Sequence, residues 1–278
     1  MSFLVLLLMI WVEKMSAWRR RIQHDGPWLR QLARVENGAS SASLAWGGLF
    51  WLVLLPVLLL GLLILLLKPL AYGWLLLPVH LAVLVYSLGR GDLLAALGPL
   101  RDAWRRGDGQ AVYHVAERDL GLSSADERGL LLDVQGYLVW QAYQSFFAVI
   151  FWYALLGPLV ALAYRLLAMT AEHAREPGLR ERADRLRHAL DWLPARALAA
   201  SFALVGNFVA VGRALLQDLL SWELDAPRLV ASAGRAATGL PEPTLDETGV
   251  ASLDELWQLL VRAAMLWYAV FALWTLLL

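Results

Sequence analysis

The sequence contains no cysteine. Disulfides, thiolate metal sites, iron–sulfur clusters and cysteine nucleophiles are excluded together. Charge is scarce too: Asp, Glu, Lys and Arg make up 17% of the residues and sum to a formal net charge of zero. That balance gives no global attraction to nucleic acid. A Walker-type phosphate loop, a Gly-x-Ser-x-Gly elbow and a His-Glu-x-x-His pair are all missing. Nucleotide hydrolysis, acyl transfer at a serine elbow and zinc proteolysis lose their simplest support with them. No internal repeat of fixed period is visible.

What the 278 residues do contain is apolar: 59% are hydrophobic and the mean hydropathy is +0.55. Soluble domains average about 45–50% apolar, so the excess calls for a solvent other than water. The charges collect between long apolar blocks, as they do when those blocks lie in lipid. The expectation is an all-α, polytopic membrane protein, one integral membrane domain over residues 1–278. Membrane hairpins and cytoplasmic amphipathic helices would build it, and the fourteen Trp residues suggest interfacial belts.

Phe3 to Val12 is apolar without a positive stretch before it or a small-residue cleavage site after it, and reads as a retained membrane segment. The run Leu44 to Leu67 is long enough to cross a bilayer, which takes roughly 20 residues. A second run, Pro69 to Leu88, follows directly, so the two form a hairpin with Lys68, Tyr72 and Trp74 near one interface. Pro78 and His80 are expected to interrupt its second arm. Arginines flank this hairpin on both sides, at Arg19, Arg20, Arg21, Arg30 and Arg34 before it and Arg90, Arg101, Arg105 and Arg106 after it. The positive-inside rule makes both flanks cytoplasmic.

Gly89 to Gln135 reads as a cytoplasmic segment of short amphipathic helices. Leu93, Leu97, Leu100 and Trp104 recur at helical spacing, and Arg106-Gly107-Asp108-Gly109 marks a turn. Tyr137 to Leu167 is too long for one span and too short for two. The arginines that follow it favour a hairpin that enters and returns, bent at Gly157-Pro158. A second cytoplasmic segment, 172–196, presents Leu179, Ala183, Leu186 and Leu190 as its apolar face, with Pro194 ending or kinking the helix. Ala197 to Leu216 is a shallow hairpin or a span, broken at Gly206-Asn207. Residues 234–252 read as a mobile loop. A membrane helix over Ala263 to Leu278 follows, with Arg262 at its mouth.

Several of these segments resemble the AmpE family of membrane proteins linked to β-lactamase induction. The resemblance is carried by Leu6-Leu7-Leu8 running to Glu13, Phe151-Trp152 with Gly157-Pro158, and Tyr164-Arg165. Above all it is carried by His188-Ala189-Leu190-Asp191-Trp192-Leu193-Pro194-Ala195-Arg196. More distantly, the chain is similar to the CobD/CbiB cobinamide-phosphate synthases, which join an amino-alcohol phosphate to a corrinoid carboxylate with ATP and Mg²⁺. Arg118-Asp119 followed by Leu122, the Phe151 to Gly157 stretch and Pro194-Ala195-Arg196 carry that likeness. This resemblance implies a CobD/CbiB-like fold. It also implies acidic motifs that are absent here: Trp140, Gln141 and Gln144 stand where those enzymes show Glu-Asn-x-x-Asp, and Ala168-Met169-Thr170-Ala171 where they show Asn-Thr-Leu-Asp. Mg²⁺ needs hard oxygen ligands, chiefly carboxylates and substrate phosphate, and phosphate chemistry leans on that metal. A related fold with its enzyme chemistry lost or changed is the expectation.

The candidate ligand-binding residues are Arg118, Asp119, Arg165, Asp184, His188, Asp191 and Arg196. Asp184, His188 and Asp191 share a helix face at i, i+4 and i+7. They would hold a metal or polar ligand, or else form a solvated face with a local Asp–His bond. Arg165 and Arg196 would clamp a phosphate or carboxylate, or pair with lipid headgroups. Arg118-Asp119 would orient a ligand, or be a local ion pair. His80 would relay protons, or make one interhelical hydrogen bond. Arg262 would pair with an intramembrane acid, or snorkel to the interface. No metal or cofactor is assigned.

The resemblance implies an inner-membrane, non-catalytic regulator in muropeptide signalling. The lipid bilayer surrounds it, a cytoplasmic amidase or a muropeptide is its partner, and homo-oligomers are possible. The alternative is a membrane-bound ATP-dependent amide-forming enzyme of the cobinamide-phosphate synthase type.

Overall fold

The computed structural model describes residues 25–37, 44–69, 74–89, 93–124, 126–215, 221–222, 224–239 and 247–277. The segment expected over Phe3 to Val12 and the interfacial Tyr72 lie outside them. The described residues are almost all helical, with no strand among them. Among the described residues, three helices are long and apolar enough to cross a membrane: Trp46–Leu67, Arg128–Leu156 and Gly249–Trp274. The all-α membrane fold expected from composition is therefore present. The described residues fall into two compact units, one within 1–90, 148–191 and 271–278, the other within 91–147 and 192–270.

The first unit opens with α1 (Gly26–Asn37), α2 (Leu44–Leu49) and α3 (Leu55–Leu67). Between α2 and α3 lies a π-helical turn, Phe50–Leu54, closed by Leu55 N–H to the Phe50 carbonyl. Its place has a cause. Pro56 has no N–H, and its ring would crowd the carbonyl four residues back. The wider turn just before it relieves that conflict. No residue of α3 is buried, and Leu58, Leu59, Leu62, Leu65 and Leu66 are all exposed. Val57 and Leu60 rest against the unit's core, and the broad leucine face left open suits hydrocarbon rather than water.

Next comes α4 (Leu76–Ser87), which runs through Pro78 and His80 without a break. Pro78 falls in the first turn, where an N–H has no intrahelical acceptor to lose, so the expected interruption does not occur. His80 Nδ1 lies 3.1 Å from the Tyr153 hydroxyl, the single interhelical bond. Tyr153 belongs to α9 (Ala148–Leu156), which is followed by α10 (Pro158–His173). Between them Gly157 has φ +84° and ψ −169°, a backbone region essentially closed to other residues. Pro158 then starts α10 at a position that suits its fixed φ. The two helices pack on each other across this turn, so the bend expected at Gly157-Pro158 is real.

Trp28, Leu32, Leu49, Leu52, Leu166 and Met169 form this unit's core. The N-terminal part of α11 (Pro177–Val205) closes on it through Leu179 and Ala183. The start of α11 is anchored from α1: Glu36 accepts hydrogen bonds from the Arg175 and Glu176 N–H groups at 2.6 and 3.2 Å. Two expectations for α11 need correction. Pro194 neither ends the helix nor lies outside it; it is buried inside an unbroken α11. Of the expected face 179, 183, 186 and 190, Leu179, Ala183 and Leu190 pack on the core, but Leu186 is exposed. Leu179, Ala183 and Asp191 are buried, and Arg187 is half-buried between them. The stripe steps by four and carries charge inward.

The second unit begins with α5 (Leu93–Ala96), α6 (Gly98–Arg105) and α7 (Gly109–Val115). Leu97, Leu100 and Trp104 are buried, as their spacing predicts. Asp108 caps α7 by accepting from Ala111 N–H at 3.1 Å. Then comes α8 (Glu127–Ala142), which passes through a π turn at Tyr143–Phe147 directly into α9. The apolar arm expected from Tyr137 thus starts ten residues earlier, and residue 135 is a buried mid-helix position, not a domain edge. Its polar content hid it: Arg128, Asp133 and Gln135 share the helix with the apolar residues.

Packed against α8 is α13 (Ala226–Thr238), whose buried face is Leu229, Val230, Ala233, Gly234 and Ala237. These small side chains let the two backbones approach. Here the expected mobile loop over 234–252 is corrected. Residues 234–238 complete α13, and α14 (Glu247–Leu277) already begins at 247. Glycine and threonine read as loop residues in isolation but serve here as packing surface. The second unit's core gathers Leu130, Val134, Leu138, Phe147, Phe202 and Leu256.

Buried polar groups inside this unit pair with one another. Trp267 Nε1 donates to Ser201 Oγ and Gln135 Nε2 to Ser252 Oγ, both at 2.8 Å. Removing one partner strands the other in an apolar interior, whereas replacing both can be nearly neutral. Ser252→Ala alone is expected to cost about 1–3 kcal/mol in denaturant titration in micelles. Gln135→Leu combined with Ser252→Ala should recover most of that loss. A double variant no more stable than the single would contradict the pairing.

Candidate functional site

In the first unit the candidate residues converge on one carboxylate. Tyr164 is fully buried on α10, and its hydroxyl donates to Asp191 Oδ1 at 2.8 Å. Asp191, on α11, is itself 2% exposed. One turn before it, Arg187 places Nε 3.9 Å from Asp191 Oδ2 and Nη2 3.1 Å from Asp184 Oδ1. Arg187 thus bridges the two acids predicted from sequence, and Tyr164 closes the chain from the neighbouring helix. In a low-dielectric interior such a chain holds only if its members satisfy one another. Asp191 and Asp184 are brought together through an arginine rather than around a metal. His188 sits half-buried on the same helix, and among the described residues no group of three His, Asp or Glu side chains gathers as metal ligands would.

Arg165 follows Tyr164 on α10 and lies within electrostatic reach of Tyr86 and Glu172. Its Nε is buried and meets no protein acceptor. An intramembrane or boundary cation in that state marks a functional position by default. Arg182 of the same unit lies over the Trp46 ring, 5.1 Å from its centroid, which ties α11 to the first membrane helix.

Arg196 belongs to the second unit. Its Nη1 donates to the Trp192 carbonyl at 2.8 Å and its Nη2 to the Ser221 carbonyl. The guanidinium rests 4.2 Å above the Trp192 ring, and Trp222 stacks on that same ring at 6.2 Å and 29°. Arg196 therefore ties the chain at Ser221 and Trp222 to α11. The paired-arginine reading joins residues of different units, and each is described within its own.

Arg118 and Asp119 lie on an exposed π turn, Ala116–Leu120, and form a bidentate ion pair at 2.7 and 2.8 Å. That hydrogen bond from Arg118 holds the Asp119 carboxyl below the usual range and raises the guanidinium in turn. Exposed pairs of this kind add little to stability. Arg118→Ala is expected to leave the thermal midpoint unchanged, so any loss of function in cells would report a contact surface. A lowered midpoint would show that the pair is structural instead.

Where the resemblance to the synthases points to metal-holding acids, the second unit has amides. Gln144 Nε2 donates to Gln141 Oε1 at 3.1 Å, and Trp140 stacks on Tyr143 at 5.1 Å. This sits at the π turn Tyr143–Phe147, a kind of turn often found at functional sites. A neutral amide pair beside stacked aromatics carries no charge to hold Mg²⁺.

Sequence reasoning missed Tyr164's role, Arg187 and the Trp192–Trp222 stack. It also missed a cavity of about 640 Å³ in the second unit, bordered by Tyr137, Trp140, Asp133, Ser232 and Arg235. Burial lowers the Arg235 guanidinium's pKa, and the nearby Asp133 carboxylate opposes that. The spacing of four from Leu179 to Ala183, Arg187 and Asp191 was the available signal for Arg187. The loop-like composition around Gly234 concealed the last.

A family model described as "Regulatory signalling modulator protein AmpE" matches residues 1–222. The chain belongs to the AmpE family. Among curated proteins, "Protein AmpE" of Shigella flexneri is 28% identical over 97 residues, covering 31% of this chain and 33% of that relative. The match spans about a third of the relative's length. No solved structure matches the chain. Both Tyr164-Arg165 and the segment from His188 to Arg196 lie inside the matched region. The apolar helices agree with a membrane protein.

Proposed function

We propose that this AmpE-family protein is a multi-pass inner-membrane regulator that couples cell-wall muropeptide signalling to β-lactamase induction and acts without catalysis. The observation that carries the non-catalytic part is the Gln141–Gln144 amide pair at 3.1 Å, in the place where the distantly similar synthases need carboxylates. Two separate segments are its cytoplasmic working surfaces: 89–135, with Arg118 and Asp119 in the second unit, and 172–196, with Asp184 and His188 in the first. Arg165, with its unpaired buried Nε, is the residue best suited to take an anionic group, such as the carboxylate or phosphate of a muropeptide or of a lipid headgroup. The partner is a soluble cytoplasmic amidase, a muropeptide or both. The Arg-rich flanks of the first hairpin support this orientation through the positive-inside rule.

The test is β-lactamase induction by a β-lactam in cells carrying the wild-type gene, a deletion, or Arg165→Gln. Deletion and Arg165→Gln should both change induction several-fold while the variant stays at wild-type abundance in the membrane. Unchanged induction in the deletion would overturn the proposal.

A further inference from the structure

The helix break at Gly206-Asn207 carries an inference of its own, independent of the signalling role. One exposed stripe runs along α14 through Ala251, Glu255, Gln258, Arg262, Met265 and Ala269. It is polar up to Arg262 and apolar beyond it, where Met265 is 64% and Val270 53% exposed. The change from polar to apolar over one turn, about 5 Å of helix, places the edge of the hydrocarbon at Arg262.

Arg262 also fixes the depth of a second element. Its Nη1 donates to the Val205 carbonyl at 3.1 Å, which is the last residue of α11. Directly around that residue, Leu204, Phe208 and Val209 are 69, 67 and 57% exposed. Phe208 and Val209 open α12 (Phe208–Leu215), whose Val211 and Leu215 are the residues turned into the protein.

Backbone polar groups of the turn between the two helices are paired within the protein. Gly206 N–H donates to the Phe202 carbonyl at 2.9 Å, Asn207 N–H to the Ala237 carbonyl at 3.0 Å, and Val211 N–H to the Asn207 carbonyl at 3.0 Å. Asn207 Oδ1 accepts from Ala210 N–H at 3.0 Å. Non-helical backbone survives at membrane depth only when its polar groups are satisfied in this way.

We propose that the turn around Val205–Val209 is a membrane wedge. Leu204, Phe208 and Val209 enter the acyl-chain boundary of a phospholipid bilayer, and the Arg262 guanidinium stays at the phosphate level beside them. The lipid is the occupant because the exposed apolar surface of the wedge continues that of α14 past Met265, at a depth fixed by the Arg262–Val205 bond. This segment therefore reaches the bilayer without crossing it.

The chain has no native cysteine, so the test needs only single additions. Full-length protein carrying Leu204→Cys, Phe208→Cys, Val209→Cys, Met265→Cys or Gln258→Cys is labelled with a nitroxide. Each is reconstituted in vesicles of phosphatidylethanolamine and phosphatidylglycerol, and relaxation by oxygen is compared with relaxation by a water-soluble nickel chelate. Oxygen should exceed nickel several-fold at positions 204, 208, 209 and 265, with the order reversed at 258. Nickel exceeding oxygen at 208 and 209 would place the turn in water and overturn the wedge. Exclusion of both reagents there would show a protein covering the surface and overturn it equally.

Discussion

Asp191→Ala should be the most damaging single substitution in the first unit, lowering stability by about 3–5 kcal/mol. Asp191 is buried and accepts from the fully buried Tyr164 hydroxyl, with the Arg187 guanidinium at 3.9 Å. Its removal leaves a hydroxyl and a cation facing an apolar interior with one acceptor fewer. Tyr164→Phe keeps the ring but leaves the buried carboxylate one hydrogen bond short, so it should cost about 1.5–3 kcal/mol. Asp191→Asn keeps an acceptor for Tyr164 but loses the charge facing Arg187, and should fall between the two. Chemical denaturation in mixed micelles gives the order directly. Equal losses for Asp191→Ala and Tyr164→Phe would mean that Arg187 contributes nothing to the chain.

Gly206→Val should be nearly as severe, for a steric reason. A Cβ at position 206 would lie 2.8 Å from the Ala237 carbonyl oxygen and 2.9 Å from that of Phe202. Both are backbone atoms, held in place by hydrogen bonds from Asn207 and from Gly206 itself. Neither can swing away as a side-chain tip would, so the helices must separate. Overpacking of this kind costs about 1–3 kcal/mol, and here it also breaks the Asn207–Ala237 bond. The loss should appear as a lower unfolding midpoint and as proteolysis near residues 206–207. Wild-type stability for Gly206→Val would show that α11 and α13 are not held this closely.

The apolar runs could be read from the sequence because lipid selects for them residue by residue. Leu44 to Leu67, the bend at Gly157-Pro158 and the break at Gly206-Asn207 all lie where their chemistry predicts. What could not be read were the places where one helix depends on another. Pro78 and Pro194 look like breaks in isolation. The first falls where an N–H is already spare, and the second is itself buried within a helix that continues on both sides of it. Gly234 looks like a loop residue until α8 is packed against it. The candidate site was half visible: Asp184 and Asp191 were recognised as sharing a face. Their bridge, Arg187, does not stand out among the several arginines of that segment, because arginine on a helix usually keeps its charge in water. Tyr164 was noted only as the neighbour of Arg165, since nothing along the chain connects it to a residue 27 positions later.

The account stands on neutral amides at Gln141 and Gln144 replacing the acids that a magnesium-dependent synthase requires. Calorimetric titration of the reconstituted full-length protein with ATP, with and without Mg²⁺, tests this most directly. The account predicts no saturable heat that depends on Mg²⁺. Saturable, Mg²⁺-dependent ATP binding, abolished by changing acids elsewhere in the chain, would contradict it and return the protein to the enzymes it distantly resembles.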